Sequence, residues 1–196
     1  MIFELNDPHF LPHCACHLEL ELKSGEVLVL VGENGIGKTT LLRRIYSSIA
    51  AEEVTFAEQK SLDFFFDRKL KTLKEIFLDG QLKKFNRQFF LSLWALFELD
   101  QKEERLLSQM SGGESQALKL CLSLSKNCSN YFLDEPGQFL DLGKKNILLN
   151  TLEALKTQGK TIILIEHDKA WLPKGWTVQE LVLDENFLKK GKLWTT

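Results

Sequence analysis

Gly32-Glu33-Asn34-Gly35-Ile36-Gly37-Lys38-Thr39 sets glycines, a lysine and a hydroxyl at the spacing G-x-x-x-x-G-K-[ST]. The glycines let the backbone curl until successive N–H groups converge on an anion, and the lysine adds a full positive charge. That set cradles a chain of phosphates, with Lys38 reaching the β and γ groups and the Thr39 hydroxyl ligating Mg²⁺. An apolar run at 26–31 precedes the loop and a helical pattern follows it, the context this motif requires. Farther along, Asp134-Glu135 follows the apolar Tyr131-Phe132-Leu133. Two carboxylates at a strand's end have separable tasks. Asp134 fits the residue that holds Mg²⁺, and Glu135 fits a general base for an attacking water.

Ser111-Gly112-Gly113-Glu114-Ser115-Gln116 is a second candidate anion site. A serine and paired glycines ahead of a helical pattern leave backbone N–H groups bare at a helix start, where the dipole also favours negative charge. One nucleotide needs one phosphate cradle, so a second demands a mechanism. His167 follows the apolar run 161–165 and precedes Asp168. It is a helix cap, a surface histidine, or a γ-phosphate contact on the sheet edge that Asp134 occupies.

The elements that must position these residues follow from periodicity. Strands are expected at 2–5, 17–22, 26–31, 54–57, 131–133 and 161–165, with a last strand and a small hairpin from 180 onward. Ser24-Gly25 supplies the turn before the third. Helices are expected over 38–51, over 73–99 with a break at Gly80, after Gly113, and over 146–156. Alternating strands and helices predict an α/β core, with carboxylates delivered to the C-terminal edge of its sheet. A helical block at 61–128 interrupts that core.

Composition excludes several classes. Apolar residues at 44%, charged residues at 27% and a net charge of −2 describe an ordinary globular domain with no basic face for nucleic acid. The apolar run at 27–31 is far too short to insert in a bilayer, and the start Met1-Ile2-Phe3-Glu4 lacks a signal-peptide pattern. Four cysteines are present. Cys14 and Cys16 alternate with His13 and His17, which extended backbone would turn to opposite faces, so buried thiols are favoured over a metal cluster.

Together these pieces resemble the nucleotide-binding domain of ABC (ATP-binding cassette) proteins over nearly the whole chain. Residues 32–40, Gly32 to Thr40, look like the family's Walker A. Ser111, Gly112, Gly113 and Glu114 resemble its signature, and Phe132-Leu133-Asp134-Glu135-Pro136 resembles Walker B with its catalytic glutamate. Leu140-Asp141 falls where the D-loop belongs, and Ile165-Glu166-His167-Asp168 resembles the switch-histidine segment. Gln59 matches the Q-loop glutamine that senses Mg²⁺ and the γ-phosphate, and Phe10 lies where the family places an adenine-stacking aromatic. The resemblance implies a P-loop NTPase core with a mostly parallel central sheet and a reduced N-terminal antiparallel sheet. It also implies a single domain over 1–196, with core at 1–60 and 129–196 and a helical, signature-bearing subdomain at 61–128. ATP and Mg²⁺ are the implied ligands and ATP hydrolysis the implied activity.

The resemblance also accounts for two cradles. In the family two domains pair head to tail, and each ATP lies between one P-loop and the other subunit's signature. A second copy or a related subunit is therefore expected as partner, with Asp141 at the interface. A transmembrane permease is expected to dock through the Q-loop and helical subdomain, placing the chain in the cytoplasm, peripheral to the inner face of the membrane. Much of the apolar stripe there, with Phe77, Phe85, Phe89, Phe90 and Trp94, is expected to be core. Phe64-Phe65-Phe66 cannot all face one interior in a regular helix, and an exposed apolar patch there would mark a partner site. Only 21 positions separate Lys38 from Gln59, so most of the family's extra strands are missing. Ala117, Leu122 and Phe139 stand where basic or small residues are usual. Two other classes share the motifs: a soluble, non-transport ATPase acting on a ribosome or DNA, and a nucleotide-binding module with little hydrolysis.

Overall fold

The apolar runs form the middle of one sheet. In the computed structural model the backbone is described for residues 2–11, 14–21, 23–57, 66–80, 85–184 and 187–195. Side chains are described for residues 20, 23–57, 66–80, 85–168 and 170–182. Gln59, Phe64, Phe65 and His13 lie outside the described residues, and the side chains of Phe10, Cys14, Cys16 and His17 lie outside them too. Eight strands, β1 (Ile2–Leu11), β2 (Cys14–Glu21), β3 (Val27–Val31), β4 (Val54–Ala57), β5 (Asn130–Asp134), β6 (Thr161–Ile165), β7 (Thr177–Asp184) and β8 (Phe187–Thr195), are ordered β1-β2-β8-β7-β3-β6-β5-β4.

Five of these, from β7 through β3, β6 and β5 to β4, run parallel. The fully buried β3 (VLVLV) and β6 (TIILI) lie at the centre, as strands covered on both faces must. Alternation divides their side chains between two cores. Leu28, Leu30, Phe132, Ile163 and Ile165 face α1 (Lys38–Ser47), whose Leu41, Leu42 and Ile45 are buried among them. Val27, Val29, Val31, Tyr131, Leu133, Ile162 and Leu164 face the other way, onto α4 (Gly112–Leu124) and α5 (Leu142–Thr157). The antiparallel pairs β1–β2 and β7–β8 extend the same sheet, because β2 runs parallel to β8.

The expected helix over 38–51 stops at Ser47. There the Ser47 and Ser48 hydroxyls donate to the Arg44 and Ile45 carbonyls, and the chain turns. The pattern over 73–99 is two helices, α2 (Leu70–Asp79) and α3 (Arg87–Leu96). Gly80 ends the first, and Asn86 caps the second by accepting the Phe89 N–H at 3.0 Å. α5 begins four residues ahead of expectation because Asp141 caps it, accepting the Lys144 N–H at 2.9 Å.

Phe77, Phe85, Phe90 and Trp94 form a linked aromatic cluster, with centroids 5.2 Å apart for Phe85–Phe90 and for Phe90–Trp94. Phe66, Ile76, Leu91 and Leu96 of the same region are exposed. Cys121 and Cys128 are buried free thiols, both pushed up in pKa by that burial. Among the described residues no helix is long and apolar enough to cross a membrane.

Phe90 is fully buried at the centre of the aromatic cluster. Phe90→Ala should cost about 3–5 kcal/mol in chemical denaturation, whereas the exposed Leu96→Ala should change stability by less than about 0.5 kcal/mol.

Candidate functional site

Strand register brings the chemistry to one edge. Leu30 of β3 lies opposite Ile165 of β6, and Asp134 of β5 lies opposite the same residue. The three chains that leave these strands, at 32, 135 and 166, therefore emerge side by side.

After β3 the backbone curls through Gly32, Gly35 and Gly37, with φ of 154°, 79° and 100°. Gly32 is fixed by close approach as well, since a Cβ there would sit 2.7 Å from the Leu181 carbonyl of β7. Ile36 turns inward and is buried with the α1 core, so it anchors the loop rather than facing out. Lys38 begins α1, and its Nζ donates to the carbonyls of Gly32 at 2.9 Å and Glu33 at 2.8 Å. Burial pushes the Lys38 ammonium below the ordinary lysine value, while the Glu135 and Asp134 carboxylates push it back up.

Glu135 leaves β5 at φ 48°, a left-handed conformation that costs a non-glycine residue about 1–2 kcal/mol. Two backbone bonds hold it there: its N–H donates to the Ile165 carbonyl at 3.1 Å, and its own carbonyl accepts the Gln138 N–H at 3.0 Å. The result aims its carboxylate at His167, whose Nε2 lies 3.1 Å from Glu135 Oε1. His167 is set in turn by Glu166, which sequence reasoning did not single out. Glu166 is buried, and its Oε1 accepts the N–H groups of His167 at 2.9 Å and Asp168 at 3.3 Å. Its Oε2 accepts the Gly137 N–H at 3.3 Å. Burial raises the Glu166 pKa and the three N–H donors oppose that rise. The signal in the sequence was the acid beside His167, but nothing there reveals that it points inward.

Asn34, Gly35, Gly37, Lys38, Thr39, Thr40, Glu135, Gln138 and His167 line one open cleft of about 590 Å³. Gly32 and Glu33 border a neighbouring hollow of about 280 Å³ with Glu166, His167 and Glu180. Thr39 and Glu135 line the cleft, and the Glu135 and Asp134 carboxylates act on the Lys38 ammonium, so the hard oxygen donors of these residues suit Mg²⁺ shared with phosphate oxygens.

Ser111, Gly112, Gly113 and Glu114 lie apart from that cleft, at the start of α4. Ser111 is the cap: its Oγ accepts the Glu114 N–H at 3.2 Å, and Glu114 Oε2 accepts the Ser111 N–H at 2.8 Å. The Ser111 hydroxyl keeps its own proton to donate. Lys102 at 3.0 Å and Arg105 at 3.3 Å neutralise Glu114. Gly113 is required sterically, since a Cβ there would lie 2.6 Å from the Phe139 carbonyl, whereas one on Gly112 would meet only the exposed Phe139 ring, at 3.3 Å. Phe139, beside this helix start, adopts φ 62° and is 68% exposed, and Leu142 at the start of α5 is 71% exposed. Asp141 serves as the α5 cap and pairs with Lys144 at 2.7 Å.

A parallel sheet whose central strand feeds a glycine-rich loop, a lysine and a helix defines the P-loop nucleotide-binding class. The family model described as ABC transporter matches residues 16–138. The chain belongs to that family, as an ATP-binding cassette domain.

Among curated relatives, the energy-coupling factor transporter ATP-binding protein EcfA1 of Thermotoga maritima is 30% identical over 78% of this chain and 66% of its own length. The manganese transport system ATP-binding protein MntB of Listeria monocytogenes is 26% identical, over 78% of this chain and 73% of its own. The chain thus spans about two thirds to three quarters of these relatives. A solved ATP-binding subunit of an ABC transporter shares the fold with a TM-score of 0.76 at 16% identity, covering 97% of this chain and 88% of that one. RNase-L Inhibitor shares it with a TM-score of 0.72 at 19% identity, over 94% of this chain and 42% of that one.

Burial alone would raise the Glu114 pKa, but the Ser111 N–H, Lys102 and Arg105 outweigh it and hold the carboxyl below the usual glutamate range. A depressed folded-state value means stability that is present above the unfolded-state pKa and lost as pH falls through the folded one. Glu114→Gln should therefore melt below wild type at pH 7, with the gap closing as pH drops below about 4.5. Melting curves across that range check both the sign and the window.

Proposed function

We propose that the chain is the ATP-hydrolysing subunit of an ABC transporter, driven by head-to-tail pairing with a second copy or a related subunit. The observation that carries this reading is the Glu135–His167 contact of 3.1 Å facing the cleft above the phosphate loop. Backbone N–H groups of 34–40 and the Lys38 ammonium bind the β and γ phosphates. Thr39 and Asp134 would hold Mg²⁺, which would supply positive charge against the phosphate oxygens. Glu135 takes the proton of the attacking water at its carboxylate, and His167 keeps that carboxylate oriented. From the second subunit, Ser111 donates its hydroxyl and Gly113 its N–H to the γ-phosphate and exclude bulk water.

Gln59 and Phe10 complete this reading as the γ-phosphate sensor and the adenine platform. The block 61–128 is the partner-facing subdomain, with Phe66, Ile76, Leu91 and Leu96 as its exposed apolar residues. They suit a docking helix of a membrane permease, which would hold the chain at the inner face of the membrane. The curated relatives support the transport class: EcfA1 and MntB are named as ATP-binding proteins of transport systems. Recovery of the chain with membranes that contain its permease, and its release when those residues are made polar, tests the placement. A chain found wholly with ribosomes would overturn it.

Glu135→Gln should lower turnover at least 100-fold while ATP binding persists and ATP-dependent dimers accumulate, as gel filtration with and without ATP would report. Normal hydrolysis by this variant would remove Glu135 from the role of base. Mixing Ser111→Arg with Lys38→Ala subunits should restore one of two composite sites and hence part of the activity. Mixed dimers with no recovered turnover would argue against sharing of sites between subunits.

A further inference from the structure

Gln116 lies one helical turn beyond the signature cap, on the same helix α4, and its side chain is buried. Its Nε2 donates to two carbonyls in succession, Glu135 at 3.2 Å and Pro136 at 3.2 Å. Both partners are acceptors only, so the amide's NH₂ end must face them, and both of its protons are used. These are the carbonyls of the residue at φ 48° and of the residue after it. In the same segment, the N–H of Gly137 donates to Glu166, and the N–H of Glu135 donates to the carbonyl of Ile165 of β6. The backbone at 135–137 is thus held by β6, by Glu166 and by the signature helix together. Gly113 adds a second contact between the same two segments, through the Phe139 carbonyl.

We infer that Gln116 is a positioning residue for Glu135, fixing its left-handed backbone from the signature helix so that the carboxylate meets His167 and the cleft. The inference rests on the proposed ATPase activity. It makes the helix that offers Ser111 and Gly113 to one nucleotide part of the frame that aims the base at another. Gln116 touches neither substrate nor reacting atoms. Its loss should leave nucleotide binding alone and slow the chemical step, because a base displaced by about 1 Å loses up to 100-fold in rate.

Gln116→Met tests this, since methionine keeps the length, bulk and helix propensity of glutamine and removes both donors. Gln116→Asn is the companion: it keeps the amide on a shorter stem that does not reach. Steady-state ATP hydrolysis, ATP affinity by a fluorescent analogue, ATP-dependent dimer content and melting temperature are measured for both variants and wild type. The expected result is a fall in kcat of roughly 10- to 100-fold in both variants, with KM and ATP affinity within twofold of wild type and ATP-bound dimers accumulating. An unchanged kcat in either variant overturns the inference. So does a fall in kcat accompanied by weaker ATP binding or fewer dimers, which is what a merely structural residue would give. A wild-type chain with no turnover overturns the ATPase reading itself, and with it this inference. An active wild type with equally active variants overturns the inference alone.

Discussion

The pairing of β5 with β6 is the constraint from which the rest follows. Asp134 opposite Ile165 fixes how far each strand runs before it breaks, and the Glu135 N–H to the Ile165 carbonyl continues the ladder one step past the strand. With that step in place, Glu135 and His167 leave adjacent strands at the same height and meet at 3.1 Å. A slip of β5 by one residue would turn Tyr131 and Leu133 to the wrong face and separate the acid from the histidine together. Core packing and site geometry thus depend on one register.

Polar groups near that edge are few and nearly all engaged. Glu166 satisfies three backbone donors at once, and Gln116 satisfies two backbone acceptors. Both are buried, and each such bond contributes about 0.5–1.5 kcal/mol, more to a charged acceptor. Their larger effect is to remove freedom from a loop that leaves a strand with a positive φ. Strain held in this way is typical of sites that must present a group without waiting for the backbone to settle.

Much of this was legible in the sequence, for identifiable reasons. Short β-branched runs gave β4 and β6 to the residue, whereas β3 begins one residue later than expected, at Val27. The loop at 32–39 and the carboxylates after 133 were legible because their chemistry demands those residue types in order. Less legible were the ends set by hydroxyls and caps. Ser47 and Ser48 close α1 early, and Asp141 opens α5 early, through side-chain bonds that no period reveals. Ile36 fell within the phosphate motif, yet its side chain belongs to the core. Glu166 and Gln116 stayed hidden for the opposite reason, being polar residues whose partners are main-chain atoms distant in sequence. The Phe139 contact with the signature glycines could not be foreseen, since it joins two loops through a backbone carbonyl.

That last contact bears on how this sequence can drift. Gly113 has no room for even one methyl group while the Phe139 carbonyl stays where it is, and Phe139 occupies a backbone region that most residues avoid. The two positions therefore do not vary independently. A residue at 139 that relaxes toward ordinary dihedrals would withdraw the carbonyl and make position 113 newly permissive. An intact 139 keeps glycine obligatory 26 positions earlier. With the carbonyl where it is, sterics alone exclude every other residue at 113, so this glycine should be among the slowest positions in the chain to change.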